Sequence, residues 1–282
     1  MISSLLVIQE IHAEIKCEQR DKNYNFAEKL LDDHSLDEQI RLYKALSIYE
    51  KLHECFGDEF PNAIGGIASV YHRLGMTGPA LEYYEHGLSV DPENPYFHAD
   101  LGLLYFGLGD DKKAEKELRL ALTFDPHHYN ALNGLADLLN SKGDFNQALK
   151  FRNAALLANN GQIDAVIGKG NDYQGKGNLD LAIVSYLQAL IIEQNNTNAL
   201  VGLGNVYFDM NQFGLSIWHY EQALEIDKNH KNAKKGKFNI FHCNQEYGKA
   251  EKLKAELDEL SDYYNPSFRI QCPNNTDKIK TS

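Results

Sequence analysis

Apolar residues recur along this chain with two periods at once. Locally they fall at i, i+3, i+4 and i+7, the spacing of one helix face. Over a longer range the whole pattern returns every 34 residues, in six gapless blocks from Pro61 to Tyr264. With positions in each block counted 1 to 34, position 8 reads Ala68, Gly102, Ala136, Gly170, Gly204 and then Phe238. Position 20 reads Ala80, Ala114, Ala148, Ala182, Ser216 and Ala250, and position 27 reads Gly87, Ala121, Ala155, Ala189, Ala223 and Leu257. Position 11 is Tyr71, Tyr105, Leu139, Tyr173, Tyr207 and Phe241. Small residues let two helix backbones approach, and the ring fills the space beside them. Position 15 is Gly75, Gly109, Gly143, Gly177, Asn211 and Gln245. A helix that stops and reverses needs a residue tolerating left-handed backbone, so Gly and then Asn are the expected choices. Asp91-Pro92 and Asp125-Pro126 end the second helix of their blocks. Each block is predicted to be a helix, a tight turn and a second helix.

This pattern of small and aromatic residues over 34 positions resembles the tetratricopeptide repeat (TPR). The resemblance implies an all-α fold, a right-handed α-solenoid of stacked helix-turn-helix repeats with helical caps. The chain then divides into residues 1–60, an N-terminal helical cap with one diverged repeat, and 61–230, five repeats. Residues 231–264 form a sixth, diverged repeat acting as C-terminal cap, and 265–282 a polar tail expected to be partly disordered. In the sixth block Lys234, Lys237 and Lys254 stand where the first has Ile64, Ile67 and Tyr84, which suits an end with little left to pack on its outer side. Upstream, Ser35-Leu36-Asp37-Glu38 reads as a capping box opening a helix. DKNYNFAEKLLDDH supplies a short partner helix, and residues 3–20 are expected to form one more.

Residues 168–178, GKGNDYQGKGN, contain G-x-x-x-x-G-K, most of a phosphate-binding loop. Such a loop follows a strand, opens a helix and carries Ser or Thr after the lysine. Here Gly177 follows Lys176, and Gly170 and Gly177 are positions 8 and 15 of the fourth block, a helix contact and a helix end. No nucleotide, and no other cofactor, is expected.

The net charge of −12 and 43% hydrophobic content describe a folded acidic chain. Nucleic acid is disfavoured as a partner and no membrane span is expected. The start, MISSLLVIQEIHAEI, lacks the basic region of a signal peptide. Cys17, Cys55, Cys243 and Cys272 show no C-x-x-C pair, and their scatter suggests free thiols in a reducing, cytoplasmic compartment. The eleven histidines show no ligand spacing, and His53-Glu54-Cys55 lacks a second His at the zinc-protease offset. No nucleophile–base–acid arrangement stands out. An enzyme is not expected, and neither a catalytic nor a metal site is assigned.

Candidate chemistry lies on the side of each first helix opposite positions 4, 7, 8 and 11. In the family that side lines the concave surface where extended peptides bind. Position 2 reads Asn62, Tyr96, Asn130, Asp164, Asn198 and Asn232, and position 9 reads Ser69, Leu103, Asp137, Asn171, Asn205 and Asn239. Two helical turns separate them, so they stack on one face. Asparagine is a mediocre helix former, whereas its amide matches a peptide group's C=O and N–H. The row resembles the asparagine ladder in the repeats of O-GlcNAc transferases and some polarity adaptors. Position 6 is Gly66, Gly134, Gly168, Gly202 and Gly236, with Asp100 the exception. Either close helix packing or room for a ligand backbone accounts for those glycines. Tyr96, Leu103 and Phe106 would put an apolar patch on the groove floor, open to a partner or filled by the chain's own ends. His72, Arg73, Asn133 and Lys235 complete the candidate groove. Its charges Asp100, Asp137, Asp164 and Asp209 outnumber Arg73 and Lys235, favouring a neutral or basic guest. Heat-shock-tail binding is rejected, because only Lys235 and Asn239 match the carboxylate clamp of chaperone-binding relatives.

These observations predict a protein-interaction scaffold or adaptor that takes an extended or helical segment of another protein. The alternatives are a targeting or regulatory subunit of a multi-protein enzyme complex and a self-assembling scaffold. The oligomeric state stays open.

Overall fold

The computed structural model describes residues 16–33, 35–159, 162–259 and 272. Among them every regular element is helical, and no helix is long and apolar enough to cross a membrane. The chain forms two compact units, Met1–Leu138 and Leu139–Ser282. The first holds α1 (Arg20–Leu31), α2 (Glu38–Phe56), α3 (Pro61–Arg73), α4 (Thr77–Val90), α5 (Pro95–Gly107), α6 (Asp111–Phe124) and most of α7 (Tyr129–Ser141). The second continues with α8 (Phe145–Ala158), α9 (Ile163–Gly175), α10 (Leu179–Ile192), α11 (Thr197–Asp209), α12 (Phe213–Ile226), α13 (Lys231–Cys243) and α14 (Tyr247–Glu259). Short 3-10 turns occupy Cys17–Gln19 and Gly57–Glu59.

The turns within the blocks follow position 15. Gly75, Gly109, Gly143 and Gly177 have φ between 73° and 81°, while Asn211 and Gln245 have φ of 60° and 62°. The left-handed residue lets the chain reverse within three or four residues. The second helices stop at Val90 and Phe124, before the Asp-Pro pairs. The GKG stretch closes α9 rather than opening a helix.

Position 24 organises the packing. Tyr84, Leu118, Arg152, Tyr186 and Tyr220 are all at most 1% exposed. Leu118, Tyr186 and Tyr220 each have a glycine of their own block's first helix on one side and a glycine of the next block's first helix on the other. A methyl group added at Gly170 would lie 2.6 Å from the Tyr186 ring, and one at Gly204 2.5 Å from the Tyr220 ring. On the opposite side, methyl groups at Gly202 and Gly236 would collide with the same two rings. Gly66 stands likewise against Tyr49, and Gly168 against Arg152. The position-6 glycines are therefore sockets for the preceding block's position-24 side chain, and close packing accounts for them.

Three expectations need correction. The helix cap is Asp37, whose carboxylate accepts from the backbone N–H groups of Gln39 and Ile40, so α2 starts at Glu38 and Ser35 instead bonds Asp33. All four cysteines are paired, Cys17 with Cys55 and Cys243 with Cys272, each pair with Cα atoms 5.6 Å apart. The fold brings together thiols that are 38 and 29 residues apart in sequence. The inference of a reducing compartment, which rested on free thiols, loses that support. Thirdly, the end of the N-terminal helix expected over 3–20 is a 3-10 turn leading into α1, while residues 3–15 lie outside the described residues. So does the tail from Asn265, except Cys272.

Candidate functional site

Position 2 places Asn62, Tyr96 and Asn130 on the surface of the first unit, and Asp164, Asn198 and Asn232 on that of the second. The Tyr96 ring is 67% exposed and meets His128 edge-on at 4.7 Å. Tyr24 of α1 lies near enough to feel the Tyr96 hydroxyl electrostatically. Leu103 and Phe106 are half-buried, and Leu103 packs towards Gly134. Arg73 reaches Glu38 at 3.6 Å. His72 is half-buried, and its pKa is lowered by burial. Asn133 and Asp137 are partly buried.

Asp100 takes the position-6 place beside Tyr84 that glycine fills in the other blocks. Burial pushes its carboxyl up to about 7, and its charge helps raise the Tyr84 hydroxyl as well. A carboxyl whose folded pKa exceeds its unfolded value weakens the fold as pH rises from about 4 to about 7, and the loss is complete above that window. Asp100→Asn is therefore expected to stabilise the first unit by about 1–3 kcal/mol at pH 8 and by little at pH 4. Thermal melts at the two pH values check this, and equal shifts at both would contradict it.

Position 9 is coupled to position 24 of its own block. The Tyr186 hydroxyl donates to Asn171 Oδ1 at 2.6 Å, and the Tyr220 hydroxyl to Asn205 Oδ1 at 2.7 Å. Where position 24 is Leu118, position 9 is Leu103. The asparagines are thus half explained by intramolecular pairing. Each tyrosine fixes one amide oxygen, and the amide N–H pair is left for a further acceptor. This partnership was legible in principle as a matched pair of columns, Tyr with Asn and Leu with Leu.

In the sixth block the match fails. Position 24 is Lys254, and the Oδ1 of Asn239 is buried without a hydrogen-bond partner among the described residues. Asn239 lines a cavity of about 330 Å³ in the second unit, together with Asn232 and Lys235 from α13 and Asn205 and Asp209 from α11. Gln174 of α9 closes one side, donating to Asp209 at 2.6 Å. Burial raises the Asp209 carboxyl, against the lowering effect of that bond. The cavity thus offers amide donors, an unmatched amide acceptor, one carboxylate and one exposed ammonium. That is a set for hydrogen-bonding a polypeptide backbone. It brings Asn205, Asn232, Lys235 and Asn239 together, while Asp164, Asn171 and Asn198 do not line it.

A tetratricopeptide-repeat model matches residues 61–94, 96–128 and 197–230, and a TPR-repeat model matches 170–211. Similarity to a curated protein, the BBSome complex member BBS4 of Bos taurus, extends over 75 residues at 31% identity. It spans 27% of this chain and 14% of that protein's length. Among solved structures, a tetratricopeptide repeat protein from Parabacteroides merdae superposes with a TM-score of 0.67 at 18% identity, covering 87% of this chain and 95% of that one. The APC/C hetero-tetramer Cut9–Hcn1 gives a TM-score of 0.65 at 20% identity, over 81% and 47% of the two chains. At such identities the structural likenesses speak for the fold alone.

Proposed function

We propose that this chain of tetratricopeptide repeats is a non-enzymatic protein-interaction scaffold or adaptor holding a peptide segment of a partner protein in the α9–α11–α13 cavity. The observation that carries this reading is Asn239, whose buried amide oxygen has no donor among the described residues, set among Asn205, Asn232 and Lys235. A peptide N–H is the donor such a group lacks. Further candidate contacts lie along the exposed first-helix faces: Asn62, Tyr96, Asn130, Asp164, Asn171 and Asn198. The guest is an extended or helical segment, neutral or basic, as the acidic balance of those faces favours.

The test uses two variants, Asn239→Ala and Asn205→Asp. Asn239→Ala removes an acceptor that bonds nothing among the described residues. Asn205→Asp keeps an acceptor for the Tyr220 hydroxyl while removing the amide donors, so the packing around the tyrosine survives. Each should weaken partner binding by about 1–3 kcal/mol with melting changed by far less than affinity. Affinity capture from cells, read by mass spectrometry for wild type and both variants, checks it. Undiminished recovery of every partner with both variants would contradict the proposal. A second reading, a targeting or regulatory subunit, is favoured by the similarity to a member of the BBSome complex. It predicts that the captured protein is a catalytic chain in constant ratio.

A further inference from the structure

Three ligand-type side chains meet where the N-terminal repeat joins the first 34-residue block. His53 lies in the last turn of α2, Asp58 in the following 3-10 turn and His86 near the end of α4. One donor atom from each lies within 4.8 Å of the other two, the one such trio among the described residues. His86 Nε2 stands 3.0 Å from Asp58 Oδ1. The two imidazoles meet edge to face with centroids 5.8 Å apart. The His53 ring is half-buried, and its Nδ1 is buried with no hydrogen-bond partner among the described residues, which a buried polar atom usually has. Asp58 and His86 remain open to solvent at 59% and 38% side-chain exposure, which leaves an entry path.

We propose that His53, Asp58 and His86 bind a divalent transition metal of the zinc class, with water or an exogenous anion in the remaining position. Two imidazoles and one carboxylate suit Zn²⁺ and its neighbours and are a poor set for Mg²⁺ or Ca²⁺, which take oxygen donors. Ligands about 2.0–2.2 Å from a tetrahedral ion lie about 3.3–3.6 Å from one another, so on binding the His86–Asp58 pair at 3.0 Å opens slightly and the wider separations, none above 4.8 Å, close. Rotamer adjustment of two half-exposed side chains suffices for that. The Cys17–Cys55 disulfide ties down the end of α2 two residues beyond His53, so only α4 and the turn need to yield. Bound metal would clip α2 to α4, joining the diverged N-terminal repeat to the array. It does not depend on the peptide cavity, which lies in the second unit.

The experiment uses the full chain without a histidine tag, disulfides intact, stripped with chelator and dialysed. Titration with ZnCl₂ by calorimetry should give a single equivalent bound with a rise in Tm, and CoCl₂ should give the visible bands of a tetrahedral site. MgCl₂ should give neither. His86→Ala and Asp58→Asn should each lower Zn²⁺ affinity by about tenfold or more, since loss of even an outer-shell partner costs 10–100-fold. His127→Ala, in an exposed turn, should change nothing. If His53→Ala does not fold, Asp58→Asn at its exposed position still decides the matter. Failure of the wild type to take up Zn²⁺, or uptake unchanged in both His86→Ala and Asp58→Asn, would overturn the proposal.

Discussion

Tyr186→Ala should lower the unfolding free energy of the second unit by about 3–5 kcal/mol, the usual range for deleting a fully buried aromatic side chain. The ring is wholly buried and is held between Gly170 of its own block and Gly202 of the next. The two flanking glycines have no side chains with which to fill the space, so much of the cavity stays open. The hydroxyl donates its single proton to Asn171 Oδ1 at 2.6 Å, with Gln174 Oε1 at 3.3 Å, so the truncation leaves the Asn171 oxygen without its donor. Tyr186→Phe separates the parts: it keeps the ring and should cost about 1–2 kcal/mol for the hydrogen bond alone. The chain's single tryptophan, Trp218 in α12, reports on this unit, so urea unfolding followed by its fluorescence reads the effect. A loss below about 1 kcal/mol for Tyr186→Ala would mean that position 24 does not anchor the stack.

Arg152→Met should cost a similar amount, about 3–5 kcal/mol, for a different reason. Here the position-24 plug is a guanidinium, 1% exposed, whose Nε lies 3.3 Å from Oδ2 of the fully buried Asp172. Asn140 donates to the other carboxylate oxygen at 2.7 Å. Removing the arginine leaves a fully buried carboxylate without its cation, and the desolvation cost that the pair had offset reappears. The double variant Arg152→Met with Asp172→Leu removes both charges and should recover most of the loss, since apolar replacement of a buried pair is often neutral. Urea unfolding of the three proteins decides it. A double variant as unstable as the single one would show that the pair acts by shape rather than charge.

The 34-residue period made the helices and turns legible, because each turn must reverse the chain at the same step. Even Gln245, a residue with no preference for left-handed backbone, adopts it where position 15 requires it. The position-24 column was less legible. Its Tyr, Leu and Arg look like unrelated choices until the sockets at positions 6 and 8 are seen around them. The asparagines at position 9 invited an entirely functional reading, whereas the Tyr186 and Tyr220 hydroxyls bind the amide oxygens of Asn171 and Asn205 from within the fold. The disulfides and the His53–Asp58–His86 trio had no sequence signature, since their members come from separate elements that only the fold brings together. Asn239 could be named from sequence, but that its oxygen has no donor among the described residues goes with Lys254 standing where a tyrosine stands in the two preceding blocks.

Photocrosslinking from residue 232, with the exposed Gln188 on α10 as control, tests the central claim most directly. A photoreactive residue replacing Asn232, at the cavity rim, should capture one contiguous short segment of a partner protein in cells, and Asn239→Ala in the same chain should diminish the product. Crosslinks of equal yield and identity from positions 188 and 232, or a product at 232 indifferent to Asn239→Ala, would contradict a peptide held in that cavity.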